Sequence, residues 1–157
     1  MTRPTAPRWF LPVLALPLAL AACTVDSQDL SDETVGAVAA SGGGVTVDVL
    51  PTVSWPVSGF IGAVRVTNTG FGSPISTYEV VFKLGGSAGA GTAFNGSITA
   101  ADSSGNYTAA SPPWLPFATI QVGQSFETGF NGTGAFIDST IVSVKVNGTI
   151  IPIGTGG

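Results

Sequence analysis

Apolar and polar residues alternate in short runs along this chain, and each run stops at glycine, proline or an Asn-Gly pair. In residues 45–49 three valines alternate with polar residues, and Tyr78, Val80 and Phe82 share one parity further along. A period of two is the pattern of a β-strand with one buried face. With 22 Gly and 11 Pro in 157 residues, the breaks come too often for long helices. The chain is therefore predicted to fold from strands and turns.

The predicted strands are short and numerous. Asn147-Gly148 gives the strongest hairpin signal, since this pair suits a type I′ turn, and the proline-rich residues 112–116 must be irregular. Eight or nine strands without a helix predict an all-β fold, an antiparallel β-sandwich of immunoglobulin-like or jelly-roll-like type. We expect these strands over residues 45–49, 60–68, 75–84, 92–100, 106–110, 117–122, 124–130, 141–146 and 149–153.

The first 22 residues have the pattern of a helical signal peptide. Arg3 and Arg8 precede an apolar stretch over residues 9–19, which is too short to span a bilayer. The segment ends in Leu20-Ala21-Ala22-Cys23, which resembles the lipobox of bacterial lipoproteins, where the cysteine carries lipid. Because Cys23 is the sole cysteine, we expect a protein exported to the bacterial cell envelope and lipid-anchored, with its domain facing outward. An ordinary signal peptide followed by an incidental cysteine is the alternative.

Residues 23–44 are predicted to form a flexible linker. They are acidic, small and glycine-rich, and cannot bury enough apolar area to offset the entropy of ordering. One weak helical turn is expected within residues 30–40. The folded domain is predicted over residues 45–153, followed by a disordered tail over residues 154–157.

The charge balance argues against nucleic acid as a partner. The chain carries five basic and nine acidic residues, and two of the basic ones lie in the leader, so the remainder has three against nine, or −6. A protein that neutralises phosphates needs a basic patch, which is missing here. Charged residues make up only 9% of the chain, which favours a neutral ligand.

The chain lacks the usual catalytic groups. It contains no histidine, and its one cysteine is assigned to the anchor, so metal sites and nucleophilic catalysis that need these residues are excluded. Five acidic residues are spread over separate strands and turns of the body, and their spacing does not suggest the facing carboxyl pair of a glycoside hydrolase. We therefore expect no enzymatic activity, no metal and no cofactor. These acids are Asp48, Glu79, Asp102, Glu127 and Asp138.

Three large aromatic residues, Trp55, Phe94 and Trp114, lie in polar stretches marked by glycine or proline. Each could cover one end of the core, which is the common role of such residues. Alternatively, all three could face water and form a platform for a ligand with flat apolar faces, such as a sugar ring. The pattern of the residues alone leaves both interpretations open.

Several segments, taken in order, resemble the family 2 carbohydrate-binding modules, the bacterial cellulose-binding domains. Among them are Ser54-Trp55-Pro56-Val57-Ser58-Gly59-Phe60, Val64-Arg65-Val66-Thr67-Asn68-Thr69-Gly70, Ser111-Pro112-Pro113-Trp114, Gly129-Phe130-Asn131-Gly132 and Val146-Asn147-Gly148-Thr149. Residues 75–82 resemble the strand that carries an inner aromatic, with Tyr78 in that place, and residues 93–96 resemble a Trp-centred segment. No segment is specific by itself, but their order over about 105 residues is.

The resemblance implies an antiparallel β-sandwich that binds polysaccharide without acting on it. By position, Trp55, Phe94 and Trp114 correspond to the family's three sugar-stacking aromatics. Gln121, Gln124 and Asn131 are candidate polar contacts for sugar hydroxyls, or else ordinary surface amides. Phenylalanine at position 94 replaces a tryptophan, and the terminal cysteine pair common in the family is absent.

The resulting prediction is a monomeric, membrane-tethered module that binds cellulose, chitin or xylan. Such modules usually accompany a glycoside hydrolase, and no catalytic domain is evident in this sequence. The alternative is a surface lipoprotein that uses the same sandwich for structural or adhesive protein contacts without binding sugar. The exposure of the three aromatics distinguishes the two.

Overall fold

The computed structural model describes residues 38–55 and 58–155, and these form two antiparallel sheets. The first sheet has the strand order β11 (Gly154–Thr155), β1 (Val38–Gly42), β2 (Val45–Trp55), β3 (Gly59–Asn68), β8 (Ser125–Thr133) and β5 (Gly89–Phe94). The second has the order β10 (Thr149–Ile151), β9 (Ser139–Val146), β4 (Tyr78–Leu84), β7 (Asn106–Ala110) and β6 (Ser97–Thr99). This confirms the predicted all-β antiparallel sandwich. The one helix among the described residues is a 3₁₀ turn over Leu115–Phe117.

The core lies between the two sheets, where the alternating apolar residues meet. The three valines of residues 45–49 are buried on β2, and Tyr78, Val80 and Phe82 are buried on β4. Burying a valine or phenylalanine side chain contributes about 1.5–3 kcal/mol, so this face dominates the stability of the fold. The period-two pattern therefore identified the core face of both strands.

On the inner face of β3 and β8, the rings of two phenylalanines lie over glycines of the neighbouring strand. Phe60 pairs with Gly132, and Gly62 pairs with Phe130, in adjacent registers. A methyl group at either glycine would overlap the ring opposite it. The two rings contact each other edge to face, with centroids 5.9 Å apart. Glycine is therefore required on the inner face at both positions because the space of a side chain is taken by a neighbouring ring.

The domain is larger than the sequence suggested at both ends. Residues 38–42 were expected in the linker and residues 154–155 in a disordered tail, but they form β1 and β11 and pair with each other. The turn between β1 and β2 is Gly43-Gly44, with φ of 54° and 76°, which is the type I′ geometry of a two-residue hairpin. The glycine run is thus a hairpin turn, and no helical turn occupies residues 38–40.

Two predicted strands are also corrected. The strand expected over residues 92–100 is divided at Asn95-Gly96 into β5 and β6, which belong to different sheets. The strand expected over residues 117–122 does not form. Phe117 belongs to the 3₁₀ helix instead, and within residues 117–122 only Ile120 makes an isolated bridge, to Ile75.

The signal peptide, Cys23 and most of the predicted linker lie outside the described residues. Among the residues that are described, no helix has the length and hydropathy needed to cross a membrane.

Candidate functional site: the outer face of the first sheet

A β-bulge at Thr52 decides which way Trp55 points. Pro51 pairs with Gly62 and Val53 with Ile61, so β2 has one extra residue between these pairs. Before the bulge the odd-numbered residues of β2 face the core, as Val49 does, and after it they share the outer face with Ile61. The hydroxyl of Thr52 donates to the carbonyl of Ile61 at 3.1 Å and holds the bulge.

Trp55 is the last residue of β2, and 49% of its surface is exposed. It lies opposite Gly59, where a Cβ atom would lie 2.6 Å from the carbonyl oxygen of Gly132. The neighbouring strand therefore approaches too closely for any side chain at position 59. This leaves the indole of Trp55 as the one large side chain in that pair.

Phe94 lies on the same outer face, at the other edge of the sheet. It is the last residue of β5, pairs with Gly129 on β8 and is 45% exposed. A Cβ atom at Gly129 would overlap three carbons of the phenyl ring, so the ring rests directly on the glycine backbone. The absence of a side chain at Gly129 therefore fixes the ring of Phe94 against the sheet.

Asn131 lies between the two aromatics. It is an exposed outer-face residue of β8, opposite Ile61 of β3. Trp55 and Phe94 are three strand spacings apart, about 14 Å, and are offset by about four residues along the strands, roughly 13 Å. The structure thus brings Trp55, Phe94 and Asn131 together on one extended face.

Trp114 occupies a different element. It precedes the 3₁₀ helix Leu115–Phe117, is 47% exposed and contacts Phe126 edge to face with centroids 5.4 Å apart. Phe126 belongs to the part of β8 that extends beyond its pairing with β5. Leu115, which is fully buried, anchors the loop that carries the indole. Trp114 is therefore an exposed side chain at the edge of the first sheet.

The two predicted glutamines are not part of the group around Asn131. Gln121 and Gln124 close a tight turn in which the side chain of Gln124 accepts from the backbone N–H of Gln121 at 3.1 Å. The side chain of Gln121 donates to Thr119 at 2.8 Å. Gln124 and Asn131 are seven residues apart on an extended chain, about 23 Å. Both glutamine side chains thus have structural partners within the turn.

A row of charges crosses the outer face and was not predicted as part of the site. Asp48, Arg65 and Glu127 lie in one register on β2, β3 and β8. Arg65 donates through Nε to Oε1 of Glu127 at 2.7 Å. Partial burial raises the pKa of Asp48, and the positive charge of Arg65 opposes that rise. Since outward parity is visible in the sequence, Arg65 and Glu127 could have been placed on this face.

Beside this row lies a shallow depression of about 110 Å³. Thr52, Ile61, Phe94 and Glu127 are among the residues that line it. Polar and apolar groups contribute about equally to its lining. Sequence patterns gave no sign of it, because it depends on the Thr52 bulge and on the position of the Phe94 ring.

The turn that follows Phe94 is fixed by hydrogen bonds that cross the core. The hydroxyl of Thr128 donates to the carbonyl of Asn95 at 3.2 Å and lies 2.6 Å from the hydroxyl of Tyr78. Because the hydrogen of Thr128 is used by Asn95, Tyr78 must be the donor to Thr128. A buried residue of the second sheet thereby supports the turn that holds Phe94.

Burial raises the pKa of Tyr78 to about 12. The folded state thus disfavours ionisation of Tyr78. The stability that this side chain contributes is fully present below pH 10 and is lost as the pH rises towards 12. We expect the free energy of unfolding to fall by about 2–3 kcal/mol from this group across that window. Tyr78→Phe should cost about 1 kcal/mol at pH 7 and remove this part of the pH dependence. Urea unfolding of both proteins at several pH values measures the difference, and a gap that stays constant up to pH 12 would contradict it.

The described residues do not form a metal site. No three of their His, Cys, Asp and Glu side chains are grouped so as to hold an ion. What the outer face does offer is exposed aromatic surface, an amide and a shallow depression. These features belong to a ligand-binding module rather than to a catalytic centre.

Comparison with known proteins agrees with that class. A family model described as cellulose binding domain matches residues 44–151, which is 108 of the 157 residues. The chain therefore belongs to the family 2 carbohydrate-binding modules, which are non-catalytic polysaccharide-binding domains. This confirms the resemblance drawn from the sequence segments. No curated protein matches the chain.

Solved structures of similar domains include three with stated ligands. The cellulose-binding family 2 domain of ScLPMO10C is 25% identical, with a TM-score of 0.47, covering 74% of this chain and 100% of its own. The chitin-binding domain of Chi18aC from Streptomyces coelicolor is 24% identical, with a TM-score of 0.45, covering 68% and 93%. The chitin-binding domain of a chitinase from Pyrococcus furiosus is 19% identical, with a TM-score of 0.42, covering 71% and 93%.

Proposed function

We propose that this domain binds a neutral, insoluble polysaccharide (cellulose, chitin or xylan) on the outer face of its first sheet. The observation that carries the proposal is the placement of Trp55 and Phe94 on one face, each about half exposed, in a chain of a polysaccharide-binding family. Asn131 between them supplies an exposed amide for sugar hydroxyls. Trp114 offers a further contact at the sheet edge.

The chemistry of the face suits sugar rings. Pyranose rings have apolar faces, and an aromatic side chain can bury about 150–250 Å². With half of that area still exposed on Trp55 and on Phe94, each ring can contribute about 2–3 kcal/mol when a sugar covers it. The rings have few rotatable bonds, so little conformational entropy is lost on binding.

Retention on insoluble polymers tests this function. The purified protein should be depleted from solution by microcrystalline cellulose, chitin or xylan, and should remain soluble with a mineral powder of equal surface area. Failure to bind any of the three polymers would reject the proposal. It would favour the alternative, a surface protein that uses the sandwich for protein contacts.

We also propose that Cys23 carries lipid and holds the domain at the bacterial cell envelope, facing outward. Support comes from Leu20-Ala21-Ala22-Cys23 after an apolar stretch with preceding arginines. From Cys23 to Val38 the chain can reach at most about 50 Å, enough to separate a domain from a membrane surface. Labelled palmitate should be incorporated into the wild type and not into Cys23→Ala. Equal labelling of both proteins would reject the anchor.

A further inference from the structure

Three asparagines of this chain are followed directly by glycine: Asn95, Asn131 and Asn147. In such a pair the backbone nitrogen of the glycine can attack the side-chain carbonyl carbon of the asparagine, because no Cβ atom of the glycine hinders the approach. Whether the reaction occurs in a folded protein depends on the freedom of the chain at that point. The three pairs have different surroundings, so they differ in their exposure to this reaction.

The side chain of Asn147 is held by four hydrogen bonds. Its oxygen accepts from the backbone N–H and the hydroxyl of Ser76 at 2.8 and 2.9 Å, and from the backbone N–H of Thr77 at 3.1 Å. Its nitrogen donates to the carbonyl of Pro74 at 2.9 Å. Attack on the side-chain carbon requires the amide to leave these partners. Asn147 is therefore protected.

Asn131 is exposed but belongs to a strand that is paired on both sides. It pairs with Ile61 of β3, and the following Gly132 pairs with Phe60 on one side and Ala90 on the other. The nitrogen of Gly132 cannot turn towards the side chain of Asn131 unless β8 separates from its neighbours. Such openings of a central strand are rare. Asn131 is therefore protected by its place in the sheet.

Asn95 has neither protection. It is exposed in the bend between β5 and β6, and among the described residues its side-chain amide forms no hydrogen bond. The hydroxyl of Thr128 donates to its main-chain carbonyl instead. The bend also needs this pair of residues, because Asn95 has φ of 57°, which asparagine adopts readily, and Gly96 has φ of 151° with no space for a Cβ atom. The fold therefore requires a reactive pair at an unprotected position.

We propose that Asn95 is a site of spontaneous deamidation, and that its modification alters the turn beside Phe94. The nitrogen of Gly96 bonds to the side-chain carbon of Asn95, and ammonia leaves as a cyclic imide closes. Water then opens the imide. Opening at the side-chain carbonyl gives aspartate, and opening at the main-chain carbonyl gives isoaspartate. In sum, the amide and water give a carboxylic acid and ammonia.

Isoaspartate changes the support of Phe94. The main chain then runs through the former side chain and is one carbon longer between Phe94 and Gly96. The carbonyl that accepts from Thr128 becomes a carboxylate. Both changes act next to Phe94, whose ring rests on the backbone of Gly129. We expect the modified protein to bind polysaccharide more weakly, and this part of the proposal rests on the proposed function.

Peptide mapping of the incubated protein tests the site. After incubation at mildly alkaline pH, the peptide that contains Asn95 should show the mass increase of deamidation and should be labelled by an isoaspartate methyltransferase. Asn131 and Asn147 should react at least about tenfold more slowly, because their reaction needs local opening of the fold. In urea the three pairs should react at similar rates, which is the matched control. Similar rates in the folded protein, or a faster reaction at Asn131 or Asn147, would overturn the assignment.

Separation by charge tests the effect on binding. The deamidated form carries one more negative charge, so ion exchange isolates it, and it should be retained on the polymer severalfold more weakly than the fresh protein. Asn95→Gly removes the reactive amide and tolerates the positive φ, so its retention should not change during incubation. Full retention of the isolated deamidated form, or an equal loss in Asn95→Gly, overturns the effect on binding. If the fresh protein binds no polymer, the proposed function is wrong and the deamidation site still stands.

Discussion

Replacing Trp55 and Phe94 together with alanine is expected to abolish retention on insoluble polysaccharide. Each ring contributes about 2–3 kcal/mol when covered by a sugar, and 1.4 kcal/mol is a factor of ten in affinity. Either single variant should thus bind roughly 30- to 140-fold more weakly. The double variant should fall below detection in a depletion assay, because it loses both contributions and keeps only Trp114, at the sheet edge, among the proposed aromatic contacts.

The control for this experiment is Phe117→Ala. Phe117 is 91% exposed in the 3₁₀ helix, so it matches the apolar character of the site residues without lying on the sheet. Its removal should leave retention unchanged. If Phe117→Ala weakens binding as much as Trp55→Ala does, retention is due to general surface hydrophobicity and the outer face is not the site.

A substitution at Gly129 tests the same face while keeping both aromatic side chains. The phenyl ring of Phe94 rests on the backbone of Gly129, and any Cβ there would overlap it. Gly129→Val should therefore lift the ring from the sheet and weaken binding about as much as Phe94→Ala does. Urea midpoints check that each variant is folded, and full retention in folded Gly129→Val would show that the position of the ring is unimportant.

Sequence periodicity was sufficient to predict the sandwich but not to predict which face of the sheet carries Trp55. Counting by twos from Val49 turns Trp55 towards the core, whereas the structure places it outside. The cause is the extra residue at Thr52, and no sequence pattern marked this bulge. The family resemblance, and not the periodicity, predicted that Trp55 contacts the ligand. That contact stays a prediction.

The Asn-Gly signal predicted one hairpin correctly, but the same pair at Asn95-Gly96 does not form a hairpin. Asn147-Gly148 joins β9 and β10 within one sheet, with φ of 47° and 82°, as predicted. Asn95-Gly96 has the same composition but carries the chain from one sheet to the other. The residues of a turn predict that the chain changes direction there. Which sheet the next strand joins depends on contacts with residues distant in sequence, such as the hydrogen bond from Thr128 to Asn95.

The side chain of Asn68, at the end of β3, has a structural role. It is fully buried and makes four hydrogen bonds. Its amide nitrogen donates to the carbonyls of Ser73 at 3.2 Å and Ile120 at 3.1 Å, and its oxygen accepts from the backbone of Gly70 at 3.1 Å and Phe71 at 3.0 Å. One asparagine thus joins the loop after β3 to the chain that precedes β8.

Asn68→Ala is expected to lower the free energy of unfolding by about 3–5 kcal/mol. Leaving a buried polar group unpaired costs about 1–3 kcal/mol, and this substitution removes the partner of several groups at once. Since small domains are stable by only about 5–15 kcal/mol, the effect should be a large fraction of the total. Urea unfolding measures it. Asn106→Ala is the matched control, because the side-chain bond of Asn106 to Asp102 is exposed, and it should cost under about 1 kcal/mol.

Asn68→Asp separates the hydrogen bonds that the Asn68 side chain accepts from those that it donates. The aspartate keeps an oxygen for Gly70 and Phe71 but turns the other towards the carbonyls of Ser73 and Ile120, which also accept. At neutral pH it should be at least as destabilising as alanine, since a buried charge then faces two acceptors. Asn68 lies at the end of β3 remote from Trp55 and Gly59, so the folded fraction of either variant should keep the polysaccharide affinity of the wild type. A loss of affinity in protein that is still folded would show that the Asn68 loop and the outer face are coupled.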